Sequence, residues 1–256
     1  MSIANNQFSA PRLEPAGKIL RAAIHLWNQP TQTKTTRQWA RVFVTVSRQP
    51  GAGGIPFSHK LAQRLNQAGQ SDWSTWDREL VDKVSAETGI ARELIEMIPN
   101  RRHNWLEDLL QGFSVNQSPP DVIEFRAYKR VAMTILALAT AGHAIIVGQG
   151  GTFITEGMPA SIHLRLVAPL EHRIKCTAEF EKLSREQAAA RIVEIDQRRT
   201  DFYRRYWPNK VIAPELFTMT LNSGELSVDE MVESVLPVIR IREAGGKSLA
   251  TEERWN

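Results

Sequence analysis

Apolar positions along the chain recur with two different periods, and the change from one to the other marks its elements. "RVFVTVS" at 41–47 is a short β-branched run that ends in polar residues and a glycine cluster, the pattern of a buried strand. "FSHKLAQRLNQ" at 57–67 has helical spacing, "SDWSTWD" at 71–77 predicts a second strand, and "RELVDKVSAETG" returns to helix and stops at Gly89. Residues 91–113 predict two short helices, and Pro119-Pro120 leads into a long amphipathic helix over Asp121–Ala141, with Asp121 as its N-cap. "AIIVGQGG", "SIHLRLVA" and "LFTMTLNSG" are three further short apolar runs, with helices between and after them. Five strands alternating with helices predict an α/β protein whose parallel sheet is covered on both faces.

Two segments stand outside that alternation. Residues 1–40 hold a polar, proline-containing start, a helical stripe of Ile19, Leu20, Ala23, Ile24 and Trp27, and a threonine-rich connector. They are expected to be an appended helix and linker, followed by the main domain at 41–242 and a polar tail at 243–256. From Ser184 to Trp207 the spacing predicts a helix of roughly 35 Å at about 1.5 Å per residue, opened by a capping box between Ser184 and Gln187. It carries six arginines, among them Arg191, Arg198 and Arg199, beside an apolar stripe of Ala188, Ile192, Ile195, Phe202 and Tyr206.

Composition excludes more than it selects. Lys+Arg 32 against Asp+Glu 28 leaves a formal charge of +4, which suits a small anionic ligand and argues against a nucleic-acid track. The single cysteine, Cys176, has no partner for an intramolecular disulfide and reads as a small core residue. The histidines lack paired ligand spacing, so a protein-built metal cluster is not expected, and no run has the length of a membrane span. A cytoplasmic protein is expected.

The chemistry concentrates in "TVSRQPGAGGIPFS" at 45–58, a strand, a glycine cluster and a helix start. Gly51, Gly53 and Gly54 can turn backbone amides toward an anion, and the helix N-terminus behind them adds roughly half a positive charge. Against the common phosphate loop the lysine is missing: Phe57 stands in its place, with Ser58 where the magnesium-binding hydroxyl belongs. Arg48, just upstream, can supply the missing cation. On these residues alone a nucleotide site and a structural strand-to-helix turn both remain open.

Taken in order, "VSRQPGAGG", "WDREL", "AIIVGQGG", "HLRLVAPLEHRI", "IDQRRTDFYRRYW" and "LNSGELSVDEMVESV" resemble the cytidylate kinase-like family of P-loop nucleoside monophosphate kinases, over about Val42–Leu236. The resemblance implies a three-layer α/β/α P-loop kinase fold with a five-stranded parallel sheet and a helical lid, whose phosphate loop also lacks the standard lysine. It implies transfer of the ATP γ-phosphoryl group, with magnesium, to CMP, dCMP or a related small acceptor. Ser47, Arg48, Gly51, Ala52, Gly53, Gly54 and Ser58 would hold the donor phosphates, with Ser58 as the magnesium ligand. Asp77, Gln149, Asp196 and Arg199 would address the acceptor, Asp196 and Arg199 through a DxxR pattern, while Asp77 also reads as a helix N-cap. Arg48, Arg173, Arg191 and Arg199 would stabilise the transferring group.

One residue departs from the resemblance. Gln149 stands where the family's GRGG pattern has an arginine, which removes a permanent charge and a bidentate fork. The alternative is therefore a nucleotide-binding sensor or interaction protein that kept the fold and lost turnover. The N-terminal helix would then dock a second copy or a protein partner.

Overall fold

The computed structural model describes residues 41–67, 72–86 and 119–245. The N-terminal stripe, the two short helices expected at 91–113 and most of the tail lie outside the described residues. Within them the chain runs β1 (Phe43–Arg48), α1 (Gly54–Gln67), β2 (Ser74–Trp76), α2 (Arg78–Ala86), α3 (Pro119–Ala141), β3 (Ala144–Val147) and α4 (Gly151–Ile154). It continues through β4 (Ser161–Val167), α5 (Leu170–Glu181), α6 (Arg185–Tyr206), a single 3-10 turn at Pro214–Leu216, β5 (Met219–Asn222) and α7 (Val228–Glu243).

All five expected strands form, and they pair in parallel in the order β2-β3-β1-β4-β5. Parallel strands need crossover connections, and the helices that make them cover the two faces of the sheet. The three-layer α/β arrangement is the one the alternation of elements demands. Among the described residues, no helix is long and apolar enough to cross a membrane.

The two faces are built differently, because strand side chains alternate. Val44 and Val46 of β1, Ile145 and Val147 of β3, and Ile162, Leu164 and Leu166 of β4 join Phe57, Leu61, Val232 and Val235 of α1 and α7 in one apolar cluster. The opposite face starts equally apolar, with Phe43, Ala144 and Ile146 packed against α3. Toward the C-terminal ends of the strands it turns polar. Register pairs Thr45 with His163 and Ser47 with Arg165. Both cross-strand pairs form hydrogen bonds, 2.7 Å between Thr45 Oγ1 and His163 Nδ1 and 3.0 Å from Arg165 Nη1 to Ser47 Oγ.

Two expectations need correction. The long third helix starts at Pro119 rather than after Asp121. Proline costs nothing in a first turn, where amides have no intrahelical acceptor, so the two prolines begin the helix rather than precede it. Cys176 is only half-buried on α5, with its Sγ 3.3 Å from His172 Nε2 one turn away, and is not a core residue. The capping box expected at Ser184 and Gln187 is present, and a second one caps α7 through Ser227 and Glu230.

His163 makes this arrangement sensitive to acid. Burial, and then Arg242, push its pKa from 6.5 down to about 4, and its Nε2 has no protein partner. The folded protein therefore holds His163 neutral where an unfolded chain would take up a proton. That stability is complete above about pH 6.5 and is lost as pH falls toward 4, on the order of 3 kcal/mol in all. Urea unfolding from pH 7 to pH 4 should show this decline, and His163→Gln should flatten it by about that amount.

Candidate functional site

In an open parallel sheet, ligands bind beyond the strand C-termini at the point where the connections reverse direction. Here β1 is that point, since β3 lies on one side of it and β4 on the other. A cavity of about 1040 Å³ opens there, walled by the ends of β1 and β3, by Arg165 of β4 and by the inner side of α6. Ser47, Arg48, Gln149, Arg191, Asp196 and Arg199, all singled out from the sequence, lie on its wall.

Arg48 joins the two glycine-bearing loops. A methyl group built on Gly54 would fall 2.7 Å from Arg48 Cγ, and one on Gly148 would fall 1.9 Å from Arg48 Nη1. The side chain thus crosses Gly54 with its aliphatic stem and rests its guanidinium on Gly148. Burial, and then the neighbouring Arg199, push that guanidinium down to about 10. A bound anion would act in the opposite direction and favour the charged form.

Two more arginines face the same space. Arg199 donates from Nη1 to the backbone oxygen of Arg48 at 2.7 Å, and Arg165 donates to Ser47 Oγ. Burial lowers the pKa of both. Neither they nor Arg48 forms an ion pair of its own among the described residues. Tyr203 lines the same cavity, with burial raising its pKa and the arginines lowering it.

Two other lid arginines are neutralised. Arg173, buried at the start of α5, holds Asp196 of α6 at 3.0 Å, so Asp196 is first of all the clasp between the two lid helices. Arg191 pairs with Glu181 at 3.3 Å and Glu194 at 2.9 Å. The DxxR pair does share one face of α6, but its two members do different work there.

The glycine loop lies outside the cavity wall. Gly51 and Gly53 take φ of 76° and 71°, and Ala52 is buried. A methyl group on Gly51 would meet the Arg173 carbonyl oxygen at 2.4 Å, so the loop is backed by the start of the lid. Among the described residues the amides of Gly51, Gly53, Gly54 and Ile55 donate to no protein acceptor. The placement of Ser58 corrects an expectation: it is 0% exposed, with its hydroxyl given to Gly54 O at 2.7 Å, and presents nothing to a metal ion. Among the described residues no cluster of His, Cys, Asp or Glu could hold one either. Asp77 accepts from the Leu80 amide at 3.0 Å, so its N-cap role is realised, and it too stands off the cavity wall.

An aromatic clasp borders the site. Tyr128, Phe153, Phe202, Tyr203, Tyr206 and Trp207 pack ring against ring, the closest being Tyr128 and Tyr206 with centroids 4.1 Å apart. Trp207 lies on Gly150, where a methyl group would fall 2.2 Å from its Cη2. The loop Gly148-Gln149-Gly150 runs through three positive φ values of 77°, 55° and 73°. Tyr128 pins its middle by donating to Gln149 O at 2.9 Å. Arg165 was missed, although an arginine in the apolar run of β4 is the kind of break that marks a site.

A family model described as the cytidylate kinase-like family matches residues 43–225. The chain belongs to the cytidylate kinase-like family. In coarse terms this supports a nucleotide-binding, kinase-like phosphotransferase. Among solved structures, an uncharacterized protein from Eubacterium ventriosum is 17% identical over 78% of this chain and 98% of its own, with a TM-score of 0.58, a likeness of fold. Shikimate kinase from Bacteroides thetaiotaomicron is 14% identical over 78% of this chain and 98% of its own, with a TM-score of 0.41. Shikimate kinase from Acinetobacter baumannii, in complex with shikimate, is 14% identical over 79% of this chain and 94% of its own, with a TM-score of 0.40. No curated protein matches.

The clasp between Trp207 and Gly150 can be separated from backbone strain. Gly150→Ala meets both a positive φ and the Trp207 ring, whereas Gly157→Ala meets a φ of 70° with nothing within 4 Å. Urea denaturation should show a loss of roughly 2–4 kcal/mol for Gly150→Ala and about 1 kcal/mol for Gly157→Ala. Equal losses would show that the ring contact contributes nothing.

Proposed function

We propose that the protein transfers the γ-phosphoryl group of ATP to a nucleoside monophosphate of the CMP or dCMP kind, or to a related small phosphorylated acceptor. The observation that carries this reading is the convergence of Arg48, Arg165 and Arg199 on one cavity without ion pairs of their own. Guanidinium groups held this way repel one another until a polyanion arrives. Phosphoryl groups fit their geometry and charge.

The roles follow from position. Donor phosphates would rest on the free amides of Gly51, Gly53, Gly54 and Ile55 at the N-terminus of α1, where the helix dipole favours negative charge. Arg48, spanning both loops, would lie between donor and acceptor. An acceptor phosphate oxygen attacks the γ-phosphorus, the bond to the β–γ bridging oxygen breaks, and ADP leaves with that oxygen. No strong protein base is needed, because the acceptor oxygen is already anionic, and the arginines serve by position and charge.

Asp77 and Asp196 would limit where the acceptor sits, and Arg173 would hold Asp196 in place. Arg191 would act only by exchanging its carboxylate partners. Magnesium would travel with ATP. Ser58, its hydroxyl given to Gly54 O, does not fit it.

A second reading has one observation in its favour. The glycine loop is backed by the Arg173 carbonyl and Ser58 is turned into its own helix, as in a protein that binds nucleotide without turning it over. Phosphoryl transfer from ATP with magnesium, measured across ribo- and deoxyribonucleoside monophosphates, separates the two. Transfer should occur, and Arg199→Ala and Arg165→Ala should each lower kcat/KM by about a hundredfold or more. Nucleotide binding without transfer in folded protein would select the second reading instead.

A further inference from the structure

The residue that departs from the family pattern is held in one orientation. Gln149 Nε2 donates to Asp82 Oδ1 at 2.9 Å, and Asp82 is itself paired with Arg78 at 3.4 Å. A carboxylate accepts hydrogen bonds and cannot donate them, so the amide nitrogen of Gln149 must face Asp82 and its oxygen must face away. Among the described residues Oε1 has no protein partner, and Gln149 is on the cavity wall. The backbone beneath is fixed as well, with φ of 55° and the carbonyl tied to Tyr128. Phe202, Tyr206 and Ile212 line the same cavity, Tyr206 packing on the Tyr128 that holds the Gln149 carbonyl, and Arg78 lines it with its charge matched by Asp82.

We infer that Gln149 is a specificity-determining residue. Its Oε1 accepts a hydrogen bond from a neutral N–H or O–H group on the organic part of the acceptor, and Asp82 is the positioning residue that stops the amide from turning over. The inference rests on the proposed phosphotransferase reading of the cavity. It divides the cavity by chemistry. The phosphoryl group goes to Arg48, Arg165 and Arg199, which donate. The uncharged part goes to Gln149, which accepts, beside rings on which a base or sugar can lie. A phosphate oxygen at Gln149 would face a fixed acceptor and be repelled.

In a cytidine nucleotide the donor group is taken to be the base amino group or the ribose 2′-hydroxyl. Calorimetric titration of the full chain with CMP, UMP and dCMP distinguishes them. A base amino contact predicts CMP over UMP by about tenfold, because the amino group becomes a carbonyl. A 2′-hydroxyl contact predicts CMP over dCMP by a similar factor. Gln149→Met, close in volume and lacking the oxygen, should abolish whichever preference is found.

Asp82→Asn supplies a readout that a merely structural role would not move. An asparagine can meet either end of the Gln149 amide, so the CMP to UMP ratio should collapse toward one while CMP affinity stays within a few-fold. Equal binding of all three nucleotides by the unmodified protein, or a preference that survives Gln149→Met, would overturn the inference while leaving the phosphate site intact. Gln149→Arg tightening all three alike would overturn it as well, by placing the phosphate there. Pyrophosphate is the probe for the underlying reading. If it binds no more weakly to Arg199→Ala than to the unmodified protein, and no nucleotide binds, that reading fails and the inference with it.

Discussion

Positive charge gathered in a half-buried space is costly unless something opposes it, and much of this structure manages that cost. Arg48, Arg165 and Arg199 are each desolvated, and Arg199 stands close enough to Arg48 to weaken its protonation, as Arg165 does for Arg199. The protein does not neutralise them with a carboxylate apiece. Arg165 and Arg199 are fixed by single hydrogen bonds to neutral oxygens, and Arg48 is laid across two glycines. Fixing a guanidinium without neutralising it leaves its remaining donors and its charge for a ligand. By contrast Arg173 and Arg191, on the same lid, are matched to Asp196, Glu181 and Glu194 and hold helices together.

That division depends on the unequal faces of the sheet. The side toward α1 and α7 is apolar along the whole length of β1, β3 and β4, and acts as a rigid base. The other side is apolar only at its N-terminal end, and Thr45, Ser47, His163 and Arg165 then take over. The lid closes over this polar half through contacts of two kinds. The ion pair from Arg173 to Asp196 joins its two helices, and the aromatic clasp of Trp207 on Gly150 joins α6 to the loop after β3. Gly150 is needed for two reasons at once, a left-handed φ of 73° and the close approach of a ring. The lid and the loop that carries Gln149 are thereby in direct contact.

How far the site could be read from the sequence depended on whether a residue's partner lay nearby in the chain. Ser184 with Gln187, and Asp77 with the start of α2, are local arrangements, and both were legible. Arg48 was legible as a cation beside a glycine cluster, but not its reach to Gly148, a contact 100 positions away across the strand order. Ser58 was misread because its place in the motif suggests an exposed hydroxyl, whereas the turn of α1 offers the Gly54 carbonyl at 2.7 Å. Arg165 and His163 left a signal that went unused. A strand buried on both faces reads as continuously apolar, so polar residues at alternate positions of β4 mark the face where a site begins.

What the sequence determined by itself was the order of the described strands and helices and the class of fold, because hydrophobic period and capping act over a few residues. It also located the glycine loop and the arginine-rich lid, and its ordered motifs were enough to identify the family. Only the tertiary structure decided which arginines remain free for a ligand and which are spent on helix packing, and that the Gln149 amide nitrogen faces Asp82. Charge pairing and amide orientation depend on groups brought together from β1, β4, α2 and α6. Their separation in sequence has no fixed relation to their distance in space, so no local pattern could reveal them.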